Sequence, residues 1–269
     1  MTMNRLIKID FRKYFYNRTF WVLSALYVVL VVLVFTGAEA FINKIVSNVG
    51  KNSPVTIPNF SLYSFPFVWH NLAFLAGFFK IFLALIVIIF ITNEFSYKTI
   101  RQNVMSGMSR VEFLFSKVLF VFFISLFVTL ILFLTAFLLG LTHTEHITAS
   151  LVFSKMYFVP TYFLEVFTFL LIALMFAFVL QKQGLTIGLF ALYYYVVEPI
   201  IAFRLPDAVA RFLPVRITAH LIDVPNSALM KLFGVNFREY VSWLDVSVCL
   251  AYSVLFVVIT YLFLKNRDL

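Results

Sequence analysis

The run LAFLAGFFKIFLALIVIIFIT fills residues 72–92, and NEFSYKTIRQNVMSGMSRVEFLFSKV follows at once over residues 93–118. The first stretch is apolar throughout, with Lys80 as its one charge. A helix rises 1.5 Å per residue, so a run of this length reaches across a hydrocarbon core of about 30 Å. The second stretch is polar and amphipathic, and beyond it LFVFFISLFVTLILFLTAFLLG covers residues 119–140. A tight turn would join two membrane helices with far fewer residues. The polar connection therefore asks what it contacts.

Composition places the whole chain in the same class. Of 269 residues 63% are hydrophobic, only 12% are charged, and 36 are Phe. A soluble domain needs about 25% charged residues to cover its surface. A helix satisfies its own backbone hydrogen bonds, which lipid requires. A β-barrel would instead alternate apolar and polar residues, and ALIVIIFI does not. Six spans are predicted, over 20–40, 72–92, 120–140, 157–180, 184–203 and 244–264, with Glu198-Pro199 expected to interrupt the fifth. The fold class expected is an all-α polytopic membrane protein, a single transmembrane domain over 1–269.

Six spans put both ends on one side. The connections and ends on that side hold 12 Lys and Arg in 54 residues, against 8 in 87 on the other. That excess predicts cytoplasmic termini. It also accounts for the net charge of +9 without nucleic acid. Ala38-Glu39-Ala40 looks like a signal-peptide cleavage site, but the basic region before it and its apolar run are both too long, so a retained span is expected. Residues 1–19 read as an amphipathic interfacial helix, with Met3, Ile7, Phe11, Tyr14 and Phe15 on one side and Arg5, Lys8 and Arg12 elsewhere. The outer segment 204–243 is predicted to hold short helices, one from Pro214 to about Leu221 and one opened by Pro225-Asn226 and ended by Gly234, folded back onto the membrane.

Within 93–118, a helix from Glu94 meets Gly107, and Ser109-Arg110-Val111-Glu112 is a capping box that starts a new helix. Lys117 is expected to snorkel to the interface. Phe95, Thr99, Gln102 and Met105 share one side of the first helix, with Lys98 and Arg101 on another. Such a helix lies across the membrane face and offers side chains to a partner.

This arrangement resembles the permease subunits of type-2 ABC transporters, the ABC-2 permeases. The residues that carry the resemblance are Glu94, Thr99-Ile100-Arg101, Ser106-Gly107-Met108-Ser109-Arg110 and Lys117; where family members often have Gly-Thr, this chain has Lys98-Thr99. The resemblance implies a coupling region over 93–112 that docks on a separate ATPase, through Glu94, Lys98, Thr99, Arg101, Gln102, Met105, Ser109 and Arg110. It implies two ATPase chains that bind ATP and Mg, a second permease chain packed along the fifth span, and an exporter in the cytoplasmic membrane of a bacterium. No G-x-x-x-x-G-K-[ST] phosphate loop occurs in these 269 residues, so ATP hydrolysis is expected in a partner rather than in this chain, with no cofactor of its own.

Three charges lie inside predicted spans away from their ends: Lys80, Glu165 and Glu198. All three fall about 18–23 Å from the terminus side. Ionisable groups there face the protein interior or water, so Lys80 is expected to pair with Glu165, Glu198 or both. The same three residues could form the relay of an ion-coupled secondary transporter, the alternative function. Gly184 and Gly188 form a G-x-x-x-G pair suited to close helix packing. His143, Glu145 and His146 could serve a metal-dependent membrane enzyme only if further ligands converge, and no metal site is expected. A structural anchor in a larger complex is a further rival. Cys249, the one cysteine, reads as a small buried hydrophobe.

Overall fold

The computed structural model describes residues 16–50, 62–97, 99, 107–225 and 238–266, without the side chains of 42 and 45–50. Most of the predicted interfacial helix over 1–19, the predicted helix from Asn226 to Gly234, and Lys98, Arg101, Gln102 and Met105 lie outside the described residues.

The described residues are helical and contain no strand. In chain order they form α1 (Arg18–Gly50), α2 (Val68–Gly77), α3 (Lys80–Ser96), α4 (Arg110–His143), α5 (Ala149–Phe153) and α6 (Phe158–Leu180). Then come α7 (Gln183–Leu192), a π-helical turn (Tyr193–Val197), α8 (Glu198–Arg204), α9 (Asp207–Ala210), α10 (Pro214–His220) and α11 (Trp243–Lys265). Among the described residues, five stretches are long and apolar enough to cross a membrane, and six if α2 and α3 count as one bent span.

Contacts at the two ends of the bundle sort the elements. Phe20 at the start of α1 packs on Phe90 of α3 and Phe120 of α4, with ring centroids 5.8 and 6.5 Å apart. The Arg110 guanidinium donates to the carbonyl of Leu264 at 3.2 Å and to that of Lys265. The starts of α1 and α4 and the ends of α3 and α11 thus share one face, the terminus face. At the opposite face, the Phe65 N–H donates to Thr144 Oγ1 at 3.0 Å and the Trp69 indole donates to the Val152 carbonyl at 2.8 Å. Tyr16 and Tyr97 are exposed at the first face, Tyr240 and Trp243 at the second. Aromatic residues at both levels form the belts expected at membrane–water boundaries.

The core is built around α6. Fifteen of its 23 residues are buried, against six in the equally long α11, so α6 is the central helix and α11 turns most of its surface to lipid. A helix apolar on every side belongs inside a bundle. α1 sits at the margin, anchored by buried Tyr27, Val31 and Phe35.

Three features differ from the sequence expectation. α1 continues well beyond residue 40, and Glu39 accepts from the Leu62 N–H at 3.3 Å while its own N–H donates to the Tyr63 hydroxyl at 3.1 Å. The second span bends by 47° between α2 and α3, at Phe78-Phe79. The fifth span is not interrupted at Glu198-Pro199; the π turn just before absorbs the proline, and the Glu198 N–H donates to the Tyr193 carbonyl five residues back. Proline removes one backbone donor and crowds the preceding turn, and a widened turn accommodates both.

Gly140 marks a close approach. A Cβ there would overlap the ring of Phe65, which also packs on Trp69 and Phe137. Overpacking of this kind costs about 1–3 kcal/mol. Gly140→Ala is expected to lower the melting temperature in detergent, and adding Phe65→Leu is expected to restore part of the loss; an unchanged melting temperature would mean that the ring moves aside freely.

Candidate functional site

Lys80 is the first residue of α3, directly after the bend. Its ammonium lies 2.7 Å from Glu165 Oε1 on α6, 3.5 Å from Thr218 Oγ1 on α10, and 5.1 Å from the centre of the Phe169 ring. Lys80, Glu165 and Thr218 are all buried. Lys80 reaches α6 from the position directly after the 47° bend. Gly77, the last residue of α2, leaves room for this meeting: a Cβ there would sit 3.1 Å from Glu165 Oε1.

Glu198 does not join that ion pair. Its Oε1 accepts from the backbone N–H groups of Val215 and Arg216, at 2.8 and 2.7 Å. These are orphan donors of the first turn of α10, which Pro214 opens. The short helix α10 is therefore held from two sides inside the bundle. Thr218 touches Lys80, and the helix start is capped by Glu198. Of the three charges singled out in the sequence, the structure brings two into direct contact and gives the third a backbone partner on the same short helix.

The 93–118 segment is tied down wherever it is described. Glu94 is buried and its Oε1 lies 2.9 Å from Lys117 Nζ. Lys117 does not snorkel; it is fully buried, with Phe113 below its ammonium at 5.0 Å. A buried cation needs a buried counter-charge, and Glu94 is the carboxylate in reach. Thr99 Oγ1 donates to the Glu94 carbonyl at 3.1 Å. Gly107 adopts φ +93°, a conformation that side chains rarely take, and the Ser109 capping box forms in both directions. Arg110 reaches the last carbonyls of α11. A cation beside a helix C-terminus is favourable. Glu94 and Arg110 thus serve the bundle itself, and Ser96 and Tyr97 are exposed at the end of α3.

The remaining candidates are dispersed. A Cβ on Gly184 or Gly188 would meet nothing within 4 Å, so both open outward from the single chain. His143 hydrogen-bonds to the Leu139 carbonyl and meets the Tyr63 ring edge-on, and no group of three metal-binding side chains converges among the described residues. Cys249 is buried. A triad that the sequence reading passed over lies at the opposite face. Asp245, fully buried, takes Arg211 at 2.9 Å and Arg238 at 2.6 Å. Its sequence signal was an acid at the second position of the run 244–264.

Breaking a buried pair strands a charge at a cost of about 3–5 kcal/mol. Lys80→Ala should therefore lower thermal stability sharply, and the Lys80→Glu, Glu165→Lys double variant should recover a measurable part. Glu198→Gln keeps one carbonyl acceptor, so it should cost less than Glu198→Ala. Equal melting temperatures for the two Glu198 variants would count against the cap.

The whole-chain comparison agrees with the architecture. A family model described as ABC-2 family transporter protein matches residues 5–269. No curated protein matches. Proteins of this family are membrane-spanning transport subunits that typically work with ABC ATPases. With nearly its full length matched and its helices long enough to span a bilayer, the chain belongs to the ABC-2 transporter family and is a membrane subunit of an ABC transporter.

Proposed function

We propose that this subunit exports its substrate when a separate ATPase docks on residues 94–107 and hydrolyses ATP. In this reading the terminus face is cytoplasmic in a bacterial inner membrane. Two permease chains, identical or paralogous, bind two ATPase chains, which hold ATP and Mg. Gly184 and Gly188 pack against the second permease chain, consistent with the open space above them.

The observation that carries the proposal is the clamping of the connection at both ends. Glu94–Lys117 joins α3 to α4, and Arg110 joins α4 to α11. Force applied between these clamps is delivered to three spans at once rather than absorbed by a loose loop. A transporter of this kind alternates between two packings whose populations are biased by the nucleotide state of the partner. Ion coupling through Lys80, Glu165 and Glu198 is supported less. Lys80 and Glu165 neutralise each other, and Glu198 serves a helix start.

The test is purification of the tagged full chain from native membranes in mild detergent. A phosphate-loop ATPase should co-purify with the parent. It should fall at least several-fold with Lys98→Ala, Arg101→Ala and Gln102→Ala combined. Glu94→Gln should instead lower the melting temperature through the buried pair. Absence of any ATPase from the parent across several detergents, or indifference to the triple variant, would overturn the docking assignment. Proton-driven flux in liposomes without ATP would favour ion coupling.

A further inference from the structure

A basin of about 470 Å³ opens at the opposite face, between α9, α10 and the start of α11. Small-molecule sites commonly measure about 300–1,000 Å³. Its charged lining is Arg211, Arg216, Arg238, Asp207, Asp223 and Asp245, with His220 beside them. Nothing in the transport reading uses these residues.

The charges are not all spent on one another. Asp245 is consumed by Arg211 and Arg238 together, so that triad keeps a net positive charge. Arg238 also donates to the His220 carbonyl, and its Nε is buried with no hydrogen-bond partner among the described residues. Arg216 is exposed on α10 and adds a second positive charge. On the acidic side, Asp207 is exposed, and the Asp223 carboxylate accepts from the adjacent Val224 N–H, through Oδ1 at 3.0 Å. Burial pushes the His220 imidazole down from its usual range, so it adds no charge near neutral pH. The basin therefore offers surplus cationic donors and surplus carboxylates, balanced overall. That pattern complements a zwitterion.

Its level suggests the source. Asp245 is the third residue of α11, two positions after an exposed Trp243 and five after an exposed Tyr240. Exposed Trp and Tyr at a span end mark the headgroup layer. We propose that this basin binds a phosphoethanolamine headgroup of a membrane phospholipid, with the phosphate on Arg216 beside the net-positive Arg211–Asp245–Arg238 triad and the ammonium on Asp207 and Asp223. Arginine is well matched to phosphate oxygens, and a primary ammonium has three N–H donors for carboxylates. A choline headgroup has none, and a glycerol headgroup carries no cation to neutralise the aspartates.

The experiment uses the full chain in detergent, with melting temperature and native mass spectrometry as readouts. The probes are short-chain phosphatidylethanolamine, phosphatidylcholine and phosphatidylglycerol, glycerophosphoethanolamine, and inorganic phosphate. Phosphatidylethanolamine should stabilise most and remain bound most. Arg216→Gln should weaken it about tenfold. Asp207→Asn should erase its advantage over phosphatidylcholine while leaving the phosphatidylglycerol response unchanged. Both side chains are exposed, so the variants should fold, as their lipid-free melting temperatures will show. Equal shifts from all three lipids, or variants that bind as the parent does, would overturn the site. A full effect from inorganic phosphate would reduce it to a simple anion site. A full effect from glycerophosphoethanolamine at equal concentration would reassign it to a soluble ligand. These outcomes are independent of ATPase docking.

Discussion

An ammonium group cannot stay charged in hydrocarbon without a partner, and Lys80 is placed where hydrocarbon would otherwise surround it. The 2.7 Å contact with Glu165 answers that constraint, and much of the bundle follows from it. The second span bends directly before Lys80. Gly77 stays small where the Glu165 carboxylate approaches. Thr218 brings the outer helix α10 down to the same pair. A buried ion pair adds little net stability over a well-packed apolar core, because desolvation offsets attraction. Its effect is on arrangement: with one partner displaced, the other is stranded at high cost. The pair thus selects one register of α3 against α6.

The same rule recurs at two other depths. Near the terminus face, Glu94 and Lys117 bind α3 to α4 where the polar connection leaves the bundle. Near the opposite face, Asp245 gathers Arg211 and Arg238 from the segment before α11. Glu198 is the variant case, a carboxylate matched to backbone donors at a helix start rather than to a cation. Between these ties most contacts are aromatic and aliphatic, such as Trp69 stacked on Phe133, with two buried hydroxyl pairs, Tyr27–Tyr162 at 3.1 Å and Thr168–Ser253 at 2.9 Å.

That division bears on transport. Apolar surfaces slide with modest change in energy when the alternative neighbour is lipid or another Phe. Polar ties do not, because each must be broken or kept whole. Packed interfaces therefore switch between discrete arrangements. Helices joined by ties should move as bodies, with rearrangement concentrated where only apolar contacts intervene. α1, whose buried side chains among the described residues include Tyr27, Val31 and Phe35, sits at the margin of the bundle.

The sequence by itself determined the class and the layout. Apolar run length identified the spans, because the width of a bilayer dictates it, and the 93–118 stretch pointed to the family through its capping box and charged residues. The Ser109–Glu112 box and the helix at Pro214 were legible because capping is local chemistry, complete within a few residues. Tertiary structure decided what depends on distance across the bundle. Lys80 could have met either glutamate, and only the packing of α3, α6 and α10 selects Glu165 for the cation and leaves Glu198 to the backbone. Glu94 read as a docking residue, and its buried contact with Lys117, 23 positions on, appears only in the tertiary structure. The π turn before Glu198 was hidden for another reason: a proline can end a helix or be absorbed by a widened turn, and the sequence does not say which.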